Sequence, residues 1–140
     1  MAQTIRFTAR MIPTAKGRPR AFARNGKVRT YSPSRTDQAE RDFIALADPH
    51  APERPFVGPV SLSVRFVFPV PASWSRTKRE RAWFHLSRPD LSNVVKAVED
   101  GLNRSGRWWR DDSQIARLCV EKVYGPAPQI EVEIQELTTS

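Results

Sequence analysis

The chain has little of what many catalytic centres are built from. Its single cysteine, Cys119, excludes an intrachain disulfide. That cysteine lies in an apolar-rich run and reads as a small core residue rather than a nucleophile. One cysteine and two histidines are too few for a zinc site. No apolar run reaches the roughly 20 residues that a membrane-spanning helix needs. The first residues lack the apolar stretch of a secretory signal, so a cytoplasmic protein is expected, with no membrane partner. Internal repeats and low-complexity segments are absent as well.

Positive charge is abundant. Lys and Arg number 23 against 15 Asp and Glu, a formal charge of +8 over 140 residues. The excess concentrates in residues 16–35 and 76–81. Basic blocks flanked by aromatics suit a polyanion such as DNA. The plainer reading is a solubilising surface, and the segmental placement argues against it. A chain of this length reads as one domain, 1–140, which folding can bury to roughly two-thirds of its extended surface.

Periodicity then assigns the elements. Residues 4–11 alternate, with Ile5, Phe7, Ala9 and Met11 on one face, as a half-buried strand does. The basic segment 13–35 follows, and Asn25-Gly26 is a hairpin signal that pairs AFAR with KVRTY as a ribbon. Ser32 or Ser34 can cap a helix running to about Ala47, burying Ala39, Phe43 and Leu46. After a proline-rich connection, residues 60–68 alternate as a strand. Residues 77–85 allow a short helix, 90–103 a longer one, and 115–124 and 129–137 two more strands. The order predicts an α+β domain, a mixed β-sheet with helices packed on one face.

The chemistry gathers in RPDLSNVVKAVEDGLNRSGRWWRDDSQIAR, residues 88–117. Leu91, Val94, Val95, Val98 and Leu102 form one stripe of the 90–103 helix, and Ser92, Lys96, Glu99 and Asn103 gather opposite. Asp90 is placed to cap that helix through the amides of Ser92 or Asn93, and a capping carboxylate can still offer an oxygen to a metal. Lys96 can pair with Asp100 or Glu99 as a surface ion pair, or stand over a phosphate. Asp111-Asp112 reads either as an exposed turn or as a ligand loop. Adjacent aspartates diverge on an extended chain, so one of them faces the site. At least one of Trp108 and Trp109 should pack into the core and fix this loop, leaving the other free to stack on DNA. Carboxylates kept together in a basic, DNA-binding chain imply a divalent cation and phosphodiester cleavage.

Together, Pro89-Asp90-Leu91, Asn93, Lys96-Ala97, Asp100, Leu102-Asn103, Trp109 and Asp111-Asp112-Ser113-Gln114 resemble the signature of RusA-family Holliday-junction resolvases, which are often phage-encoded. Val123-Tyr124-Gly125 and Pro13 through Lys16-Gly17-Arg18-Pro19-Arg20 are similar too. The resemblance implies a homodimeric endonuclease that uses Mg²⁺, with Mn²⁺ as a substitute and no small-molecule cofactor, and cuts paired strands of a four-way DNA junction symmetrically. It implies Asp90, Lys96 and Asp112 as catalytic residues, with Asp90 and Asp112 as metal ligands and Asp111 as a second candidate. Lys16, Arg18, Arg20, Arg24 and Arg29 would then bind phosphates.

One position departs from the pattern. Many members carry an aspartate two residues after the first, and here that residue is Ser92. Glu99 shares its face about 10 Å further along the helix axis. A non-catalytic branched-DNA binding protein is therefore the rival reading, and an RNA-binding protein a third. For the dimer, the symmetry of the junction calls for two equivalent sites. Val67, on an otherwise polar strand face, and the proline-rich segments 49–59 and 69–71 offer interface material.

Overall fold

The computed structural model describes residues 2–16, 20–24, 27–31 and 34–138. Arg18 and the Asn25-Gly26 turn lie outside the described residues. The strands that turn was expected to join are present. β2 (Arg20–Arg24) and β3 (Lys27–Tyr31) pair antiparallel, with Arg24 opposite Lys27.

The main sheet holds four strands: β1 (Thr4–Ala9), β4 (Val60–Pro69), β5 (Ile115–Gly125) and β6 (Gln129–Glu136). Their order is β1-β6-β4-β5. β6 runs antiparallel to both neighbours, while β4 and β5 are parallel. A parallel pair needs a long crossover. Here that crossover carries α2 (Arg76–Arg81) and α3 (Leu91–Ser105). With α1 (Ser34–Ala47) this makes an α+β fold on a mixed sheet. No helix among the described residues is long and apolar enough to cross a membrane.

Alternation decides which sheet face is covered. Phe7, Ala9, Leu62, Val64, Phe66, Ile130, Val132 and Ile134 are all buried in one cluster with Phe43 of α1 and the apolar stripe of α3. Burying each such aliphatic or aromatic side chain stabilises the fold by roughly 1.5–3 kcal/mol. The opposite face carries Arg6–Glu133 (2.6 Å) and Arg65–Glu121 (2.7 Å) ion pairs. Cys119 also lies exposed in β5, so the expected core position is corrected. β5 is an edge strand, and register with Ser63 puts Cys119 on the charged face, away from the helices.

α3 forms where expected. Its buried residues are Val94, Val95, Val98, Gly101 and Leu102. Gly106, at φ 72°, takes the left-handed conformation that ends the helix. Gly101 allows close approach to α1: a Cβ there would meet Phe43 Cδ2 at 3.0 Å. On α1 the expected stripe is rotated. Phe43 is buried as expected, but Ala39 is only partly buried and Leu46 is exposed, while Thr36, Glu40 and Ala47 are buried. The reason is electrostatic. Glu40 faces Lys16 (3.8 Å) and Arg104 (3.2 Å), which holds a polar residue inward and turns Leu46 out. α2 stops at Arg81 rather than 85, because residues 83–85 leave the helix to pair with β5.

Val67 and Phe56, from two of the suggested interface elements, lie inside the chain, while Val57 of the proline-rich segment stays exposed. Val67 is buried within the chain, against Gly125. The proline-rich segment turns Phe56 inward beside Trp109, and the Phe56 amide donates to the Trp108 carbonyl at 2.8 Å.

Candidate active site

Asp90 occupies the N-cap position of α3, with extended backbone. Its carbonyl accepts from the amides of Asn93 (3.1 Å) and Val94 (3.2 Å). Its side chain makes no capping bond, contrary to expectation. Asp90 lines an open cleft together with Lys16, Arg88, Pro89 and Asn93. Leaving a cap unused forgoes about 1 kcal/mol, and it leaves both carboxylate oxygens available.

Lys122 fixes the approach to Asp90, and periodicity reasoning passed it over. Its Nζ donates to the carbonyls of Ser87 (2.9 Å) and Pro89 (2.8 Å). A signal existed. Lys122 pairs with Phe66 in the apolar register of β5, where a lysine is out of place unless it has partners.

The two aspartates of the second acidic group have different surroundings. Asp111 caps the tight turn Asp112–Gln114 in a capping box with Gln114. It accepts from the Ser113 amide (3.3 Å) and the Ser113 hydroxyl. These bonds pull its carboxyl below the usual carboxylate range. Asp112 lies near enough to α3 for its charge to act on Lys96 and Glu99. Burial pushes the Glu99 carboxyl up, Lys96 opposes this, and Asp112 and Asp100 add to it. Lys96 donates to Asp100 (3.3 Å), which raises the ammonium above its ordinary value, and Asp112 and Glu99 act the same way. Lys96 therefore stays charged while half exposed. The surface ion pair with Asp100 is formed, and it leaves the ammonium partly exposed.

Both tryptophans of the loop are buried, Trp108 at 0% and Trp109 at 1% exposure. Neither can stack on DNA, which corrects that expectation. The loop's apolar residues are covered from both sides. Trp108 packs on Phe7 (5.4 Å between centroids), and the Phe56 segment closes over Trp109. Gln114 then staples that segment, donating from Nε2 to the carbonyls of Phe56 (2.8 Å) and Gly58 (3.1 Å). Asp112 thus leaves a turn held on one side by a capping box and on the other by the core.

Lys16 is tied to α3 and α1. Its amide donates to the Asn93 carbonyl (3.2 Å), and its ammonium lies 3.2 Å from Asp100 and 3.8 Å from Glu40. It roots the start of the basic segment on α3.

The family model for "Endodeoxyribonuclease RusA" matches residues 11–135. The chain belongs to the RusA family. The catalytic expectation drawn from residues 88–117 rests on the same match: a RusA endodeoxyribonuclease, in a family of junction-resolving nucleases. An "Uncharacterized protein YqaN" of Bacillus subtilis (strain 168) is 39% identical over 140 residues, covering 96% of this chain and 97% of the relative. A "Crossover junction endodeoxyribonuclease rusA" of Lactococcus phage r1t is 36% identical over 81 residues, covering 56% of each chain.

RusA nucleases are generally metal-dependent, which makes the donor set worth testing. A hard cation such as Mg²⁺ takes oxygen ligands and keeps several waters. Asp90 and Asp112 offer oxygens of that kind. Among the described residues no group of three or more His, Cys, Asp or Glu side chains converges to hold a metal. The donors fit a largely hydrated hard cation in kind, and do not form a closed cage.

Proposed function

We propose that this RusA protein is a cytoplasmic Mg²⁺-dependent resolvase that nicks four-way DNA junctions at paired, symmetric positions as a homodimer. The observation that carries the reading is the Asp90 carboxylate, held at a helix N-terminus without a capping bond. It stands roughly 9 Å before Lys96 along α3, at 1.5 Å per residue. The name of the phage relative, a crossover junction nuclease, points to the same substrate.

Asp90 and Asp112 would hold the ion. When bound, Mg²⁺ supplies a Lewis acid that shields the phosphate and lowers the pKa of a ligated water. Lys96 keeps its charge through Asp100 and is exposed enough to meet a phosphate. There it stabilises the negative charge that builds in the transition state. Lys122 holds the Ser87 and Pro89 carbonyls and so keeps Asp90 in place. Asp111 orders the turn that presents Asp112. Arg18, Arg20, Arg24 and Arg29 add phosphate contacts whose affinity falls steeply with salt.

Ser92 favours a second reading, a branched-DNA binding protein without chemistry, because a hydroxyl replaces a charged ligand. Cleavage of synthetic junctions in Mg²⁺, Mn²⁺ or Ca²⁺, resolved at single nucleotides, separates the two. Paired symmetric nicks in Mg²⁺ but not Ca²⁺ support the enzyme. Tight binding without nicks in any metal supports the module. Light scattering without DNA should give about twice 16.0 kDa, and a monomer that makes single unpaired nicks would replace the resolvase with a flap- or fork-type nuclease.

A further inference from the structure

The segment between β4 and α3 carries an arrangement that the cleavage site does not use. Trp83 is 67% exposed, Phe84 56% and Leu86 91%. Three large apolar side chains in four residues seldom stay in water on a fixed backbone without a partner. This backbone is fixed. The Tyr124 amide donates to the Trp83 carbonyl (2.9 Å), and the His85 amide donates to the Lys122 carbonyl (3.1 Å). Phe84 thereby bridges to Val123 on the outer edge of β5. His85 points inward and stacks on Phe68 at 3.9 Å, so its neighbours are forced outward. Trp74, Lys78, Arg81, Trp83, Phe84 and Leu86 line one open groove.

The charge around this groove is of one sign. Between residues 74 and 88 stand Arg76, Lys78, Arg79, Arg81 and Arg88 against Glu80 alone. Arg79 is spent on the carbonyls of Pro71, Ala72 and Trp74, and Arg76 on Glu80. Lys78 lies over the Trp74 ring at 4.3 Å. The side chains of Arg81 and Arg88 have no hydrogen bond or ion pair among the described residues. An isologous contact between two copies would set these like charges against each other. A polyanion with flat apolar faces fits both features.

We propose that Trp83, Phe84 and Leu86, with Arg81, form a stacking platform for an unpaired or unstacked DNA base at the branch point. The position suits this. Leu86 is four residues from Asp90, at most about 14 Å along an extended chain. Lys122 ties the intervening Ser87 and Pro89 to the sheet. A strand whose phosphate lies at Asp90 therefore has a base within a few nucleotides of the groove. Every base has a π-face, so the platform selects for structure rather than sequence. A linear duplex keeps its bases stacked and gains nothing from it. This deepens the resolvase reading and rests on it.

The test is equilibrium binding in Ca²⁺ to a synthetic four-way junction and to a linear duplex of the same sequence, with 2-aminopurine at the branch point. Trp83→Ala should weaken junction binding about tenfold, leave duplex binding within about twofold, and abolish the 2-aminopurine quench. Trp83→Phe keeps an aromatic face and should retain all three properties. If Trp83→Ala keeps the junction preference, or loses junction and duplex equally, the platform is wrong while the resolvase reading stands. If Trp83→Ala instead halves the mass by light scattering, the groove joins two copies and the proposal is overturned. A wild type that binds both DNAs alike and nicks neither removes the resolvase reading and the platform with it.

Discussion

Two aromatic segments of this protein have opposite fates. Trp108 and Trp109 are wholly buried, while Trp83 and Phe84 are mostly exposed. Both segments stand beside arginines, and both lie between β4 and β5. The difference lies in what covers them. The 108–109 pair has the core on one side and the Phe56 segment on the other. The 83–84 pair is attached to the edge of the sheet through its backbone, and its side chains stay mostly exposed. Buried aromatics next to a carboxylate build a frame. Exposed aromatics on an equally fixed backbone build a contact surface.

Substitutions can break this contrast. Trp108→Ala should cost about 3–5 kcal/mol of stability, the usual loss for a large buried aromatic, read as a lower urea midpoint. Trp83→Ala should stay within about 0.5 kcal/mol of wild type, as exposed positions do. Equal losses at the two sites would mean that the frame and the surface are not distinct.

Within the frame, the two aspartates should separate by function. Asp112→Asn should lower cleavage at least about a hundredfold while sparing junction binding, since it removes charge where metal and phosphate meet. Asp111→Asn should leave cleavage near wild type and lower thermal stability slightly, because it weakens only the bonds from Ser113. The reverse ranking would move the metal to Asp111.

The basic ribbon sharpens the other half of the comparison. Replacing Arg18, Arg20 and Arg24 together by Ala should weaken junction and duplex alike. The slope of log affinity against log salt should fall by roughly one unit for each phosphate that is no longer neutralised. Trp83→Ala should leave that slope unchanged. An unaltered slope in the triple variant would mean that DNA lies elsewhere.

What was legible in the sequence follows from what each signal measures. Strict alternation in Val60–Pro69 and Gln129–Glu136, and the 3.6-residue stripe of α3, report local periodicity, so those elements and the buried faces of both strands and α3 were readable. The motif that carries Asp90, Lys96 and Asp112 made the family readable too. The α1 face was not readable, because Glu40 is held inward by Lys16 and Arg104, residues 24 and 64 positions away. Both tryptophans are buried between the core, where Trp108 meets Phe7, and Phe56, which returns from the proline-rich connection. Cys119 sits in an apolar-looking run, but its register places it on the open face. Each miss is a partner that lies far along the chain.

The smallest expected effect concerns the anchor under the exposed segment. His85 is buried between Phe68 and Tyr124, at 3.9 and 4.9 Å between centroids. Burial pushes its imidazole below the ordinary value of 6.5, and the nearby Lys122 charge pushes the same way. The folded state therefore holds His85 neutral, while the unfolded chain takes up a proton from about 6.5 downward. Its contribution to stability is full above that pH and is lost as pH falls toward the folded value, with a slope no steeper than about 1.4 kcal/mol per pH unit. His85→Phe retains the stack and cannot titrate, so it should flatten this part of the profile. Urea midpoints of both proteins between pH 7.5 and 5.0 measure the difference. Trp83 sits two residues from His85 and on the same strand-edge pairing, so acidification should change its emission before Trp108 and Trp109 report unfolding. Identical pH profiles for wild type and His85→Phe would mean that the exposed segment is held by its backbone pairing to β5 alone, without help from the buried ring.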